Sequence, residues 1–232
     1  MTRTDVLGVG FDPVTMEEAV DQALVLMERR GARVCTPNPE IVMKARRDPA
    51  LMDALNGADL VLADGVGITW AAGRLGTPLP ARVPGYDFLL ALLGRMTGSV
   101  YLLGGRPGVA EKAAETIAQR YPNVTIAGTH DGYFDDASAL VSELSEKQPE
   151  LLAVCLGGGK QEKWMARYRA LPVGLMAGLG GSLDVLAGTA KLAPSAWRSA
   201  GFEWLYRLIR EPKRLIRQTA LAGFALRVLL RK

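Results

Sequence analysis

Short apolar runs alternating with amphipathic helical stretches constrain this chain more than anything else in it. "VLGVGF", "ARVCT", "ADLVLA", "SVYLLGG", "VTIAG", "LLAVCLG" and "VGLMAG" each read as one strand, the first of them short and buried, and most are followed by a helical pattern such as "TMEEAVDQALVLMERR" or "GVAEKAAETIAQRY". Strands buried on both faces appear as continuous apolar runs, and helices between them supply the crossovers that parallel pairing needs. The pattern predicts an α/β fold, a mostly parallel sheet flanked by helices. Thr15 caps the first helix and Glu18, three places on, closes a capping box. A second helix is expected from about Glu40 to Arg47, and the irregular Gly and Pro between Ala71 and Met96 predict an excursion over the sheet edge. No internal repeat or low-complexity linker divides the chain.

In an open α/β sheet, ligands bind beyond the carboxyl ends of the strands. Four polar clusters are expected along that rim: Thr36 with Asn38, Asp64 with Gly65, "GGRPG", and "GGGKQEKW". Gly104, Gly105 and Gly108 stand where a strand turns into a helix, so their N–H groups either cradle a phosphate or only make a tight turn. In "GGGKQEKW", Lys160 would offset diphosphate charge and Gln161 can both donate and accept, or the segment is a capped helix start with solvent-facing charge. An ordinary aspartate at the Asp64 strand end is ionised at neutral pH and suited to take a proton from an attacking hydroxyl; the alternative is a cap on the next helix. His130, in "GTHDGYF", makes either a local hydrogen bond or a substrate contact, and Asp184 reads as structural.

Several function classes find no support. Cys35 and Cys155 lie in apolar runs as reduced, buried thiols, and two cysteines with a single histidine cannot build a structural zinc site. There is no HExxH, no DxD and no GxxxxGK[ST], so no metal site or P-loop is expected, and no cofactor. No apolar run approaches the roughly 20 residues of a membrane-spanning helix, and the first residues lack a signal-peptide pattern, so a cytoplasmic protein is expected.

The segments "TPNPEIVMKAR", "LVLADGVGITWAAGRLG", "ARVPGYDF", "YLLGGRPGVAEKAA", "GTHDGYF", "GGGKQEKW", "GLGGSLDVLAG" and "GFEWLYRLIREPKRLIR" occur in order, and together they resemble the WecG/TagA/CpsF family of bacterial glycosyltransferases from about residue 6 to about 218. The resemblance implies a Rossmann-like core with a helical, basic C-terminal appendage. It also implies inverting, metal-independent transfer of a sugar, most often N-acetylmannosamine, from a UDP-sugar to N-acetylglucosamine on undecaprenyl diphosphate, at the cytoplasmic face of the membrane. Wall teichoic acid and surface polysaccharides are the products of such enzymes. Asp64 corresponds to the proposed general base, Thr36 and Asn38 to the polar pair beside it, Arg82 to an arginine that meets phosphate, and Gln161 to the glutamine of a Gly-x-Pro-Lys-Gln-Glu element. Here Gly159 stands in the proline position, and Lys191 in "KLAP" stands near the place of an arginine, offering a point charge where arginine offers a fork.

The tail carries its own signal. Residues 191–232 hold ten basic and two acidic side chains, +8, whereas residues 1–190 sum to −4. A catalytic region over 1–190 and a basic amphipathic appendage over 191–232 are therefore expected. A helix from Phe202 to Glu211 would place Phe202, Leu205, Tyr206 and Ile209 on one stripe, and Pro212 ends it. Arg207, Arg210, Lys213, Arg214, Arg217, Arg227, Arg231 and Lys232, mixed with leucines, point to an anionic membrane surface, with "EWLYRL" packing inward and the final twenty residues meeting lipid. Packing of the whole tail on the sheet or on a second subunit of a homo-oligomer is the competing reading. A hexosyl or uronosyl transferase, an enzyme acting on soluble nucleotide sugar, and a non-enzymatic nucleic-acid-binding protein are the alternatives for function. Interleaved leucines and the acidic body argue against nucleic acid.

Overall fold

A computed structural model describes residues 2–194, Trp197, Tyr206 and 215–231, with 215–219 as backbone alone. The chain opens with a hairpin, β1 (Thr4–Val6) against β2 (Val9–Phe11), where one strand was expected. Leu7 and Gly8 both have positive φ, 55° and 98°, the requirement of a two-residue turn that matches strand twist. The hairpin is pinned to the sheet by Asp12, which accepts hydrogen bonds from Arg3 Nε at 3.1 Å and from the Val61 N–H at 2.7 Å.

Helix α1 (Met16–Arg29) starts on the expected capping box, with Thr15 Oγ1 accepting from the Glu18 N–H and Glu18 Oε2 from the Thr15 N–H. Then follow β3 (Ala32–Cys35), α2 (Pro39–Ala45), α3 (Pro49–Asn56), β4 (Leu60–Val61), α4 (Val66–Arg74) and α5 (Gly85–Leu93). Helix α2 begins one residue before its expected start and stops short of Arg47, because Asp48 and Pro49 cap and open a separate α3. Half of the expected irregular excursion is helical. Gly85, Phe88, Leu89, Leu92 and Leu93 recur at helical spacing and bury one face of α5, which leaves 75–84 and 94–96 irregular.

The remainder is β5 (Gly98–Gly104), α6 (Val109–Arg120), β6 (Val124–His130), α7 (Ser138–Lys147), β7 (Leu151–Cys155), α8 (Lys160–Arg167), β8 (Leu175–Gly178), α9 (Ser182–Leu186) and α10 (Leu215–Leu230). Six strands pair in the order β4-β3-β8-β7-β5-β6, all parallel. Alternate strand residues feed two cores. Val34, Val100, Leu102, Ala153 and Ala177 face α1, α5, α6 and α9, while Cys35, Tyr101, Leu103, Val154 and Met176 face the hairpin and the helices on the other side. The chain winds outward from β3 to β4 and from β5 to β6, then returns to insert β7 and β8 between them. The carboxyl ends of β3, β8 and β7 thus meet at the reversal, where α/β sheets open a crevice.

Candidate active site

The left half of the rim is built on β3 and β4. Asn38 caps α2, its Oδ1 accepting from the Ile41 N–H at 3.1 Å. The Asp64 N–H lies 3.4 Å from the Pro37 carbonyl, so the half-buried Asp64 sits beside that turn. Helix α4 takes Gly65 as its N-cap, directly after Asp64, so the carboxylate stands at the start of that helix. The Val83 N–H donates to the Ala63 carbonyl at 2.8 Å, which brings the neighbouring Arg82, half-buried, alongside the residue before Asp64. Gly85 then crosses the end of β3 so closely that a Cβ there would lie 2.9 Å from Thr36 Oγ1. Thr36, Asn38, Asp64 and Arg82, separated by up to 46 residues, therefore lie together.

The centre of the rim is the turn after β8. Thr36 is buried and its hydroxyl donates to the Gly178 carbonyl at 2.8 Å, so that proton ties β3 to β8. Gln161, 1% exposed, accepts from the Gly180 N–H at 3.1 Å through Oε1 and donates through Nε2 to Glu162 at 3.0 Å. Glu162, fully buried, also accepts from the Gly159 N–H at 2.6 Å, and burial pushes its carboxyl above the ordinary carboxylate range. Lys160, by contrast, is exposed at the first position of α8.

On the right, Gly104 and Gly105 have φ of 133° and 75°, and a Cβ on Gly104 would collide with the Cys155 carbonyl. Gly108, left-handed with open space around it, is the N-cap of α6, which has no side-chain cap hydrogen bond. His130 ends β6 with its Nδ1 2.8 Å from the Asp131 carbonyl and its ring edge-on to Phe134. Asp184 accepts the Ala190 N–H through its carbonyl, and this folds the exposed Lys191 back toward the start of α9.

With this rim in view, comparison with known proteins is decisive. Residues 4–232 match the glycosyl transferase WecG/TagA/CpsF family. The chain belongs to that family. It is 35% identical over 206 residues to the N-acetylglucosaminyldiphosphoundecaprenol N-acetyl-beta-D-mannosaminyltransferase of Bacillus subtilis (strain 168), covering 87% of this chain and 80% of that protein. Proteins of the same description from Bacillus spizizenii and Staphylococcus aureus (strain MW2) are each 34% identical, the latter across 97% of this glycosyltransferase and 92% of its own length. The family's proline position is filled by Gly159 at φ 92°, which a proline ring cannot adopt, and its N–H is used by Glu162.

The described part of the glycosyltransferase's tail packs one of its faces inward. Phe224 and Val228 of α10, each 2% exposed, join the core under α2 and α4, so the final stretch does not turn all its faces to lipid. On the opposite side Leu226, Leu229 and Leu230 are exposed. Arg227, Arg231, Arg46, Leu7 and Leu230 line an open pocket of about 380 Å³, and Arg231 is also paired with Asp5 at 2.8 Å. Arg207, Arg210, Lys213, Arg214, Lys232 and the side chain of Arg217 lie outside the described residues, as does all of "EWLYRL" except Tyr206. Among the described residues no three His, Cys, Asp or Glu side chains cluster to hold a metal, and no helix is long and apolar enough to cross a membrane. Glu162, Gly178 and Gly180 were missed as site-building residues; the available signal was a glutamate at the third position of a helix preceded by a glycine turn.

Proposed function

We propose that this enzyme transfers N-acetylmannosamine from a UDP-sugar to N-acetylglucosamine carried on undecaprenyl diphosphate, with inversion and without a bound metal. One observation carries the reading: the meeting of Thr36, Asn38, Asp64 and Arg82 at the β3 and β4 ends of a chain whose relatives bear that activity in their names. The acceptor hydroxyl oxygen attacks the anomeric carbon from the face opposite UDP. The bond from that carbon to the phosphate oxygen breaks, its electron pair leaves with UDP, and the hydroxyl proton passes to the Asp64 carboxylate. UDP is already a good leaving group, so the protein has to hold the hydroxyl in line and offset diphosphate charge. Arg82, Lys160, Lys191 and the α6 N-terminus with its glycines are the groups available for the second task, and His130 borders the same rim. Thr36 and Asn38 shape the backbone around the base, since the hydroxyl of one and the amide oxygen of the other are engaged.

The acceptor is lipid-borne, and α10 supplies a matching surface. Its outward leucines would enter the interface of a membrane on the cytoplasmic side while Arg46, Arg227 and Arg231 meet anionic headgroups. An apolar outer face with arginines at its border favours lipid over a nucleic-acid backbone. The test is a panel of UDP-sugars, each offered with a short-chain prenyl-diphosphate acceptor bearing N-acetylglucosamine and read by mass. One N-acetylhexosamine added only from UDP-N-acetylmannosamine is expected; equal turnover without a lipid carrier, or transfer of another sugar, would replace this reading.

A further inference from the structure

A row of hydrogen bonds crosses beneath the rim with only one direction open to it. Gly159 N–H donates to Glu162 Oε2, Gln161 Nε2 donates to Glu162 Oε1, and Gly180 N–H donates to Gln161 Oε1. Both ends are backbone donors, so the two side chains between them must supply two more acceptors than donors. A glutamine offers one of each toward its neighbours, and a carboxylate offers acceptors only. Glu162 is therefore the group that lets every bond in the row be satisfied. Gly178 completes the arrangement, because a Cβ there would lie 3.1 Å from Gln161 Nε2, and its carbonyl takes the Thr36 hydroxyl. The row thus joins the turns after β7 and β8 to the end of β3.

We propose that Glu162 is a positioning residue for transfer: as the acceptor-only member of the row it fixes which way the Gln161 amide points, and through it the shape of the Gly178–Gly181 turn at the centre of the rim. Gln161 then acts on the turn from below, its buried amide holding the Gly180 N–H instead of reaching into the cleft. The catalytic part rests on the rim being the donor site proposed above; the polarity of the row does not.

The prediction is specific because the carboxylate can be moved by one residue without changing shape. In E162Q some pair in the row must meet donor to donor, which leaves a buried group unsatisfied. In the exchanged pair Q161E/E162Q, Glu at 161 accepts from the Gly180 N–H and from the amide of residue 162, whose oxygen accepts from Gly159, and every bond returns.

Two readouts are needed, both taken well below the melting point of each variant. Amide exchange of the peptide covering Gly180 is expected to quicken at least about tenfold in E162Q and to return to the parent rate in Q161E/E162Q. Turnover of UDP-N-acetylmannosamine with the short-chain acceptor is expected to fall by roughly 10- to 100-fold in E162Q, the scale of a misplaced site, and to recover to within about threefold in the exchanged pair. A Glu162 that only stabilises the fold would lower the melting temperature and leave kcat of the folded protein unchanged, and that result overturns the proposal. Unaltered exchange at Gly180 in E162Q, or an exchanged pair that neither folds nor turns over, overturns it too. If E162Q does not fold, recovery in the exchanged pair alone supports it. A parent protein that transfers no sugar defeats the functional reading, and exchange at Gly180 in the same variants still decides the polarity.

Discussion

Substitutions on the two sides of α10 separate its packing from its contact with lipid. Phe224 faces the core between α2 and α4 at 2% exposure, while Leu226 and Leu230, two residues before and two after Val228, are 56% and 73% exposed. Truncating a buried Phe to Ala costs about 3–5 kcal/mol in lost transfer energy and cavity. At about 2–4 °C per kcal/mol for a chain of this length, F224A should melt roughly 6–20 °C lower, or lose α10 docking at smaller cost if the helix detaches first. L226E/L230E removes no core contact and should melt within about 4 °C of the parent, since each surface change stays within about 0.5 kcal/mol. Its effect falls on vesicles. Each leucine buried in an apolar medium contributes about 1.5–3 kcal/mol, so losing two should weaken partitioning by at least about a hundredfold. The assays are urea or thermal unfolding of both variants and flotation with anionic and neutral vesicles. A drop in melting temperature for L226E/L230E with none for F224A would reverse the two faces. Undiminished flotation of folded L226E/L230E would remove the membrane role of the outer face.

Other outcomes follow from the rim and the cores. D64N should retain the fold and UDP binding and lose roughly 10²-fold or more in turnover; activity within threefold of the parent would end its role as base. Transfer should persist through EDTA treatment, and activity lost on chelation and restored by Mg²⁺ or Mn²⁺ would reveal a required metal. Burial pushes the Cys35 thiol up and Cys155 to about 12, so neither should react with a thiol reagent at pH 8 in the native protein, and rapid labelling of either would contradict the packing. The sign for stability follows: the folded form keeps both protons where the unfolded chain releases them, so this contribution is complete below the ordinary thiol pKa and is lost as pH rises toward 12.

What sequence determined here is what depends on near neighbours. The Thr15–Glu18 box, the strand runs and the glycines at strand ends are set by groups within a few residues, by local hydrogen bonds and by the period of apolar side chains. Because parallel strands must all end on one side, the polar clusters were legible as a common rim before their order was known. The hairpin at Leu7–Gly8 was not legible, since a leucine at positive φ departs from its local preference and holds because its side chain is buried.

Only tertiary structure decided the rest. Insertion of β8 between β3 and β7 sets Thr36 against Gly178, 142 residues away, and no local signal specifies that pairing. A glutamine in sequence can equally face substrate or backbone; the close passage of Gly178 and the donor at Gly180 turn Gln161 inward and give Glu162 its place. The same holds for α10, which is apolar on both its inner and its outer face. Periodicity marks a helix of that kind without saying which side packs. The groove between α2 and α4 made the choice by taking in Phe224 and Val228, and so left Leu226, Leu229 and Leu230 outside.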